Sequence, residues 1–265
     1  MSAAPSPAPS PAAPLRSVLV VSPVFGASCR VLGGADGGPC VVVDPGAGVA
    51  GRVDAVVRER GWRPVAVLAT HGHVDHTFDA AAIGEAYDVP LLVHSADAYR
   101  IDDPFGTIEH VSGALAAALA AGGADPATYR VPARVAPFGT PSGIVEIDPA
   151  LTALGIRAVH APGHTQGSTL YLVDALVPHG EQWAFGAAGA QEPIDESTGR
   201  PAVLTGDVLF AGTIGRTDLP GGDHAVMVAT LRDVVGRLDE NLLVLPGHGP
   251  SSDVAHERRT NPLLP

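Results

Sequence analysis

The residues of this chain best suited to chemistry are crowded into one short segment. His71-Gly72-His73-Val74-Asp75-His76 sets three histidines and a carboxylate directly after the apolar run Val65–Ala69, which reads as a buried strand. Packed imidazoles and a carboxylate repel one another when charged and lose hydration when neutral, and a metal ion that takes their lone pairs removes both costs. The carboxyl end of a buried strand is also where α/β folds place their ligands. Three further segments repeat the pattern of strand, glycine turn and ligand-type side chain. They are Pro162–Ser168 around His164, Thr205-Gly206-Asp207, and Pro246–Pro250 around His248. A glycine beside each candidate lets the backbone bend and approach a bound ion. Together His71, His73, His76, His164, His248, Asp75 and Asp207 suffice for two divalent ions that share one carboxylate. Zinc is the first expectation for such a nitrogen and oxygen set, which also accepts iron or manganese.

The chain that must position these residues has 265 residues, a net charge of −12 and 46 % hydrophobic content, ample for a packed core. It contains no lysine, so all 16 basic residues are arginines. That excludes a pyridoxal Schiff base, a lysine general base and a Walker-type phosphate loop. The glycine-rich run Gly212–Gly222 likewise lacks the lysine and the spacing of a phosphate cradle. An acid excess without basic clusters argues against a nucleic-acid partner. No apolar stretch approaches the roughly 20 residues of a membrane span. Cys29 and Cys40 cannot frame a disulfide scaffold and suit a reducing compartment, so a cytoplasmic location is expected, with Cys29 buried and inert. The run Leu15–Cys29 has the look of a short export signal, but Pro23 and Gly26 interrupt it, and a first strand is the better reading.

Short β-branched runs predict strands at Ser17–Val21, Val41–Asp44, Val65–Ala69, Leu91–His94, Ile144–Ile147, Ile156–His160, Thr169–Val173, Ala202–Thr205 and Leu242–Leu245. Helical periodicity appears over Val49–Arg60, Thr77–Tyr87 and His224–Leu238. So many short strands favour two sheets covered by helices over a doubly wound parallel sheet. Residues 1–14 read as an Ala/Pro/Ser tail and residues 15–265 as one domain. Two stretches read as insertions: 97–143, with an Ala-rich helix at Ser112–Ala121, and 175–201. Either is a candidate substrate-facing loop.

At the histidine segments the sequence resembles the metallo-β-lactamase superfamily, αββα hydrolases bearing H-x-H-x-D-H; the likeness covers roughly residues 15–265 outside the tail and insertions. The resemblance implies a four-layer αββα sandwich of the α/β (α+β) class. It implies a first metal on His71, His73 and His164, a second on Asp75, His76 and His248, and Asp207 bridging both. Phe210–Asp218 and the terminal Glu257–Pro262 resemble the glyoxalase II-like branch, whose members hydrolyse acyl-thioesters such as S-lactoylglutathione. The implied reaction is attack on the thioester carbonyl by a hydroxide shared between the metals, with Asp75 and Asp207 orienting it as ligands rather than serving as an acid/base pair. A bridging Asp207 also separates the chain from true β-lactamases, and no G-x-S-x-G elbow supports a serine triad.

The sequence departs from full-length hydroxyacylglutathione hydrolases in two ways. Only 17 residues follow His248, so their helical glutathione-binding domain is expected to be absent, and the sequence holds no lysine to make their lysine contacts. An anionic thiol would therefore be met by arginine or backbone N–H groups. Arg216, expected to pair with Asp218, is the candidate substrate contact. The alternatives are a persulfide dioxygenase of the same fold with one iron on His71, His164 and Asp207, a lactonase, or a non-catalytic module with structural metals. The expected partner is a small-molecule thioester, with neither nucleic acid nor membrane, and the oligomeric state is open. Of the other histidines, His160 reads as packed beside the ligands, His94 as packed, and His110, His179, His224 and His256 as surface residues.

Overall fold

The computed structural model describes residues 13–139, 144–145, 147–180, 182–184 and 197–264. All but Ala13 and Pro14 of the expected tail, and parts of both expected insertions, lie outside these. In chain order the first half contains β1 (Leu15–Val21), β2 (Ser28–Gly33), β3 (Pro39–Val43), α1 (Ala50–Arg60), β4 (Arg63–Leu68), α2 (Val74–Thr77), α3 (Ala80–Tyr87), β5 (Leu91–His94), α4 (Ala98–Asp102), α5 (Ser112–Ala121) and β6 (Val135–Phe138). The second half contains β7 (Ile144–Val145), α6 (Pro149–Ala153), β8 (Ile156–His160), β9 (Thr169–His179), β10 (Arg200–Gly206), β11 (Leu209–Phe210), β12 (Thr213–Ile214), α7 (His224–Asp233), β13 (Leu243–Pro246), β14 (Ser252–Asp253) and α8 (Val254–Thr260).

These strands form two leaves. In the first, β1 to β6 lie side by side in chain order, antiparallel as far as β3 and parallel from β3 onward. The second leaf runs β7-β8-β9-β10-β13-β14. The 11-residue β9 joins them: its first half pairs with β8 and β10, while Leu176–His179 pairs in parallel with Leu15–Val18 of β1.

Alternation along the strands builds four layers, as expected. Val41, Val43 and Leu68 point inward to meet Tyr171, Val173, Leu204, Leu243 and Leu245 of the opposite leaf. Their neighbours Cys40, Val42 and Val67 face outward and pack on Val53 and Val57 of α1 and Ile83 of α3. On the far side Val203 and Val244 pack on Met227 and Leu231 of α7 and Val254 of α8. The helices are delimited by local chemistry. Asp223 caps α7 by accepting from Val226 N at 3.0 Å, Asp253 caps α8 by accepting from His256 N at 2.7 Å, and Gly61 ends α1 with φ 60°.

The predicted strands recur within a few residues at each end, and the structure adds others. β2 has all six residues buried, so no alternation marks it. β6, inside the stretch 97–143, closes the edge of the first leaf, and residues 175–179 extend β9; both belong to the sheets rather than to excursions. The predicted helix Thr77–Tyr87 corresponds to α3, which begins at Ala80, and the short α2 precedes it. No helix among the described residues is long and apolar enough to cross a membrane. Leu32, fully buried between the leaves, reports on this core. Leu32→Ala is expected to lower unfolding free energy by about 2–5 kcal/mol in a urea titration, and a loss near zero would contradict the packing described.

Candidate metal centre

Each ligand-type side chain sits just past the carboxyl end of a strand, all on one edge of the sandwich. His71 follows β4, and His73 precedes α2 in an extended conformation, which turns Asp75 and His76 of α2 back toward it. His164 lies in the turn between β8 and β9, Asp207 follows β10, and His248 follows β13. Two glycines are required by geometry. Gly163 has φ 140°, and a Cβ there would lie 2.5 Å from Met227 Cα. A Cβ on Gly247 would run into Asp207 Oδ1 and His76 Cε1.

The side chains converge as two sets. His71 Nε2, His73 Nδ1 and His164 Nε2 lie 3.0–3.3 Å apart pairwise. Beside them, His76 Nε2 and His248 Nε2 are 3.1 Å apart and lie 3.6 and 3.4 Å from Asp75 Oδ2. Asp207 stands between the sets, with Oδ1 3.4 Å from His76 Nε2, and Oδ2 3.6 Å from both His164 Nε2 and His248 Nε2. Zinc–nitrogen bonds of about 2.0–2.1 Å at tetrahedral angles put ligand nitrogens about 3.4 Å apart, close to these separations. Asp207 Oδ1 is buried and accepts no hydrogen bond, which a cation would remedy. The donor set therefore fits divalent metal ions.

The electrostatics agree. Burial, reinforced by His76 and His164, holds the pKa of His71 well below its ordinary value, and burial with His164 does the same for His73. Both are then neutral imidazoles, the form that binds metal. Burial also opposes charge on His76, but Asp75 and Asp207 outweigh it and lift its pKa to about 10. Burial would raise Asp75, yet His76 and His248 hold it below the usual carboxylate range. The two carboxylates thus draw positive charge into the site, and a metal ion would displace the proton on His76.

A family model for the metallo-beta-lactamase superfamily matches residues 23–177. The chain belongs to this superfamily. A Mycobacterium tuberculosis protein, described as uncharacterised, is 32 % identical over 89 % of this chain and 92 % of its own length. The probable metallo-hydrolase YqgX of Bacillus subtilis is 30 % identical over 85 % of this chain and 87 % of its own length. The hydroxyacylglutathione hydrolase GloC of Haemophilus influenzae is 26 % identical over 84 % and 86 %. Among solved structures, TTHA1623 in a di-iron-bound form superposes with a TM-score of 0.64 at 26 % identity, covering 93 % of this chain and 99 % of that one. The BLEG-1 B3 metallo-beta-lactamase gives 0.66 at 24 % identity with the same coverage, a likeness of fold.

In this member of the superfamily, most ligand imidazoles are also held at their second nitrogen. His71 Nδ1 lies 3.1 Å from Thr70 Oγ1, which donates to Asp44 Oδ2, and His76 Nδ1 lies 3.2 Å from the same carboxylate oxygen. His164 Nδ1 bonds Arg216 O at 2.8 Å and His248 Nδ1 bonds Phe25 O at 3.0 Å. Such bonds set the tautomer and aim the opposite nitrogen inward. Asp44 does this from a left-handed backbone, φ 51°.

Two buried carboxylates were missed in the sequence. Asp44 directly follows β3, and Asp97 lies three residues past β5, so both share the strand-end position that marked the ligands. Asp97 is fully buried and clips two ligand loops together: Oδ2 accepts from Gly72 N and Thr165 Oγ1, and Oδ1 accepts from Gly167 N. Arg100, also fully buried, lies 3.4 Å from Asp97 and donates to Pro220 O and Gln166 Oε1, tying in the loop after β12.

A cleft of about 490 Å³ opens above the ligands. Its walls come from Phe25, Val74, Ile108, Ala114 and Leu115, and from Arg216 and Leu219 opposite. The helix α5, from the stretch 97–143, thus faces the site. Arg216 pairs with Asp218, as expected. His160 bonds Gln166 O and stacks in parallel on His94, with ring centroids 4.1 Å apart. Cys29 and Cys40 are free and buried, and burial raises both thiols' pKa, Cys40 to about 12, so neither is a nucleophile. His224 is exposed, His179 and His256 are half-buried, and the side chain of His110 lies outside the described residues. Asp97→Asn replaces one acceptor of the clip by an amide. It is expected to weaken metal binding by His71, His73 and His164 about 10–100-fold while Asp75, His76 and His248 keep theirs, as read by chelator competition. Equal loss at both sets would instead mark Asp97 as a general fold element.

Proposed function

We propose that the protein is a dinuclear-metal hydrolase that cleaves acyl-thioesters of a small thiol. The observation that carries this reading is the place of Asp207, within 3.6 Å of nitrogens from both ligand sets, so that one carboxylate borders two complete triads. Two divalent ions held there, zinc first and iron or manganese next, would supply Lewis acidity and a hydroxide at neutral pH. His71, His73, His164, His76 and His248 would hold the ions together with Asp75 and Asp207, whose carboxylates would orient the attacking oxygen. Asp75 stays ionised, so it does not serve as a proton donor. None is needed for this leaving group: a C–O bond forms as the C–S bond breaks, the electron pair leaves on sulfur as thiolate, and the acid proton passes to solvent. A thiol of pKa about 8.5 leaves far more readily than an amine or alcohol. The name of the Haemophilus influenzae relative, hydroxyacylglutathione hydrolase, supports the same bond class. The free thiols Cys29 and Cys40 suit a reducing, cytoplasmic setting.

Metal analysis of the purified protein is expected to find about two ions per chain, and the protein is expected to release thiol from S-lactoylglutathione. One iron per chain, with oxygen uptake on glutathione persulfide and no thioester cleavage, would overturn the hydrolase reading in favour of a persulfide dioxygenase. Asp207→Ala is expected to abolish turnover and loosen both ions. Retention of both ions with full turnover would show that Asp207 does not join the two sets.

A further inference from the structure

We propose that the thioester this cleft favours is uncharged, with neither carboxylate nor phosphate on its thiol carrier. The inference rests on the thioester reading above and concerns which thioester the site takes. The cleft presents carbon over most of its wall, with Phe25, 54 % exposed, and Ile108, Leu115 and Leu219 among its lining residues. The one arginine among its lining residues is Arg216. Its Nε and Nη2 each donate at 2.7 Å to the two carboxylate oxygens of Asp218. That pairing occupies the Nε–Nη2 edge of the guanidinium and offsets its charge, so Arg216 offers an entering carboxylate less than a free guanidinium would. The chain has no lysine, and all 16 arginines fall within the described residues, so no other long cationic side chain lines this cleft.

A carrier carboxylate lying along these walls, away from the metal-binding floor, would exchange water for apolar carbon, with the Asp218-paired Arg216 as its one side-chain cation. It would also approach a chain of net charge −12. An uncharged carrier incurs neither cost, and its methylenes gain the apolar wall.

The test compares two substrates of equal length on the metal-loaded full chain: S-lactoylglutathione, and its N-acetylated diamide, which carries no charge. Wild type is expected to favour the diamide by about tenfold or more in kcat/KM, mostly through KM. Asp218→Ala, which releases the Arg216 fork, is expected to narrow that ratio by improving S-lactoylglutathione. Equal or better turnover of S-lactoylglutathione by wild type would overturn the proposal and leave the thioester reading standing. A ratio unmoved by Asp218→Ala would also overturn it, since the pinned arginine is its basis. Failure to cleave either compound would defeat the thioester reading and this inference with it.

Discussion

A crowd of buried ligand atoms makes the strongest demand in this structure. His71, His76 and His164 are at most 3 % exposed, and Asp75 and Asp207 stand among them within hydrogen-bonding or ion-pair distance. Carboxylates taken out of water need positive charge nearby. The proton held on His76 meets part of that need, and divalent cations would meet it more fully. Four strand ends deliver the seven side chains, so the relative placement of those ends sets the spacing of the two groups. The short, glycine-bearing turns follow from this demand: Gly163 and Gly247 sit where a Cβ would collide with Met227 or with the ligands themselves.

Bracing is supplied by three further carboxylates, all buried and all accepting several hydrogen bonds. Asp44 holds Thr70 and the back of His76, and Asp97 holds the loops of His73 and His164 together. Glu257 accepts from Gly212 N and Asn261 Nδ2 and from Ser252 Oγ, which fastens the β11–β12 hairpin to α8. That hairpin leads from Asp207 to Arg216, whose carbonyl fixes His164. Phe210–Asp218 and Glu257–Pro262, far apart in the chain, are thus two halves of one support. A buried carboxylate is tolerated only when donors surround it, so each of these three marks a place where separate segments must meet.

The candidate metal ligands and the cleft above them answer different questions. The ligands set the kind of chemistry, which this fold shares across several reactions. The walls set what reaches it, and they come from segments with no part in ligation: the β1–β2 turn through Phe25, the region of α5 through Ala114 and Leu115, and the loop after β12 through Leu219. Their apolar character follows from the satellite cluster beneath, where Val24, Phe78, Ile108, Leu115 and Leu119 pack on Val74 of the ligand helix α2.

The sequence by itself determined the candidate ligand residues, which the structure brings together, and the layered class of fold. Three histidines and an aspartate within one turn past a strand are a local pattern, and glycine turns at the other strand ends repeat it, so no tertiary information was needed to find them. Most strands were also legible, because β-branched runs such as Val41–Val43 and Ile156–His160 carry their own signal. β2 was not, since a strand buried on both faces loses its alternation, and β6 was hidden because its edge position depends on β5. The roles of Asp44, Asp97 and Glu257 were decided only by the tertiary structure. A carboxylate's function here is set by the donors that face it, and those come from segments up to 70 residues away. The pairing of Arg216 with Asp218 beside an apolar wall belongs to the same class: a charge acquires its meaning from what the fold brings next to it.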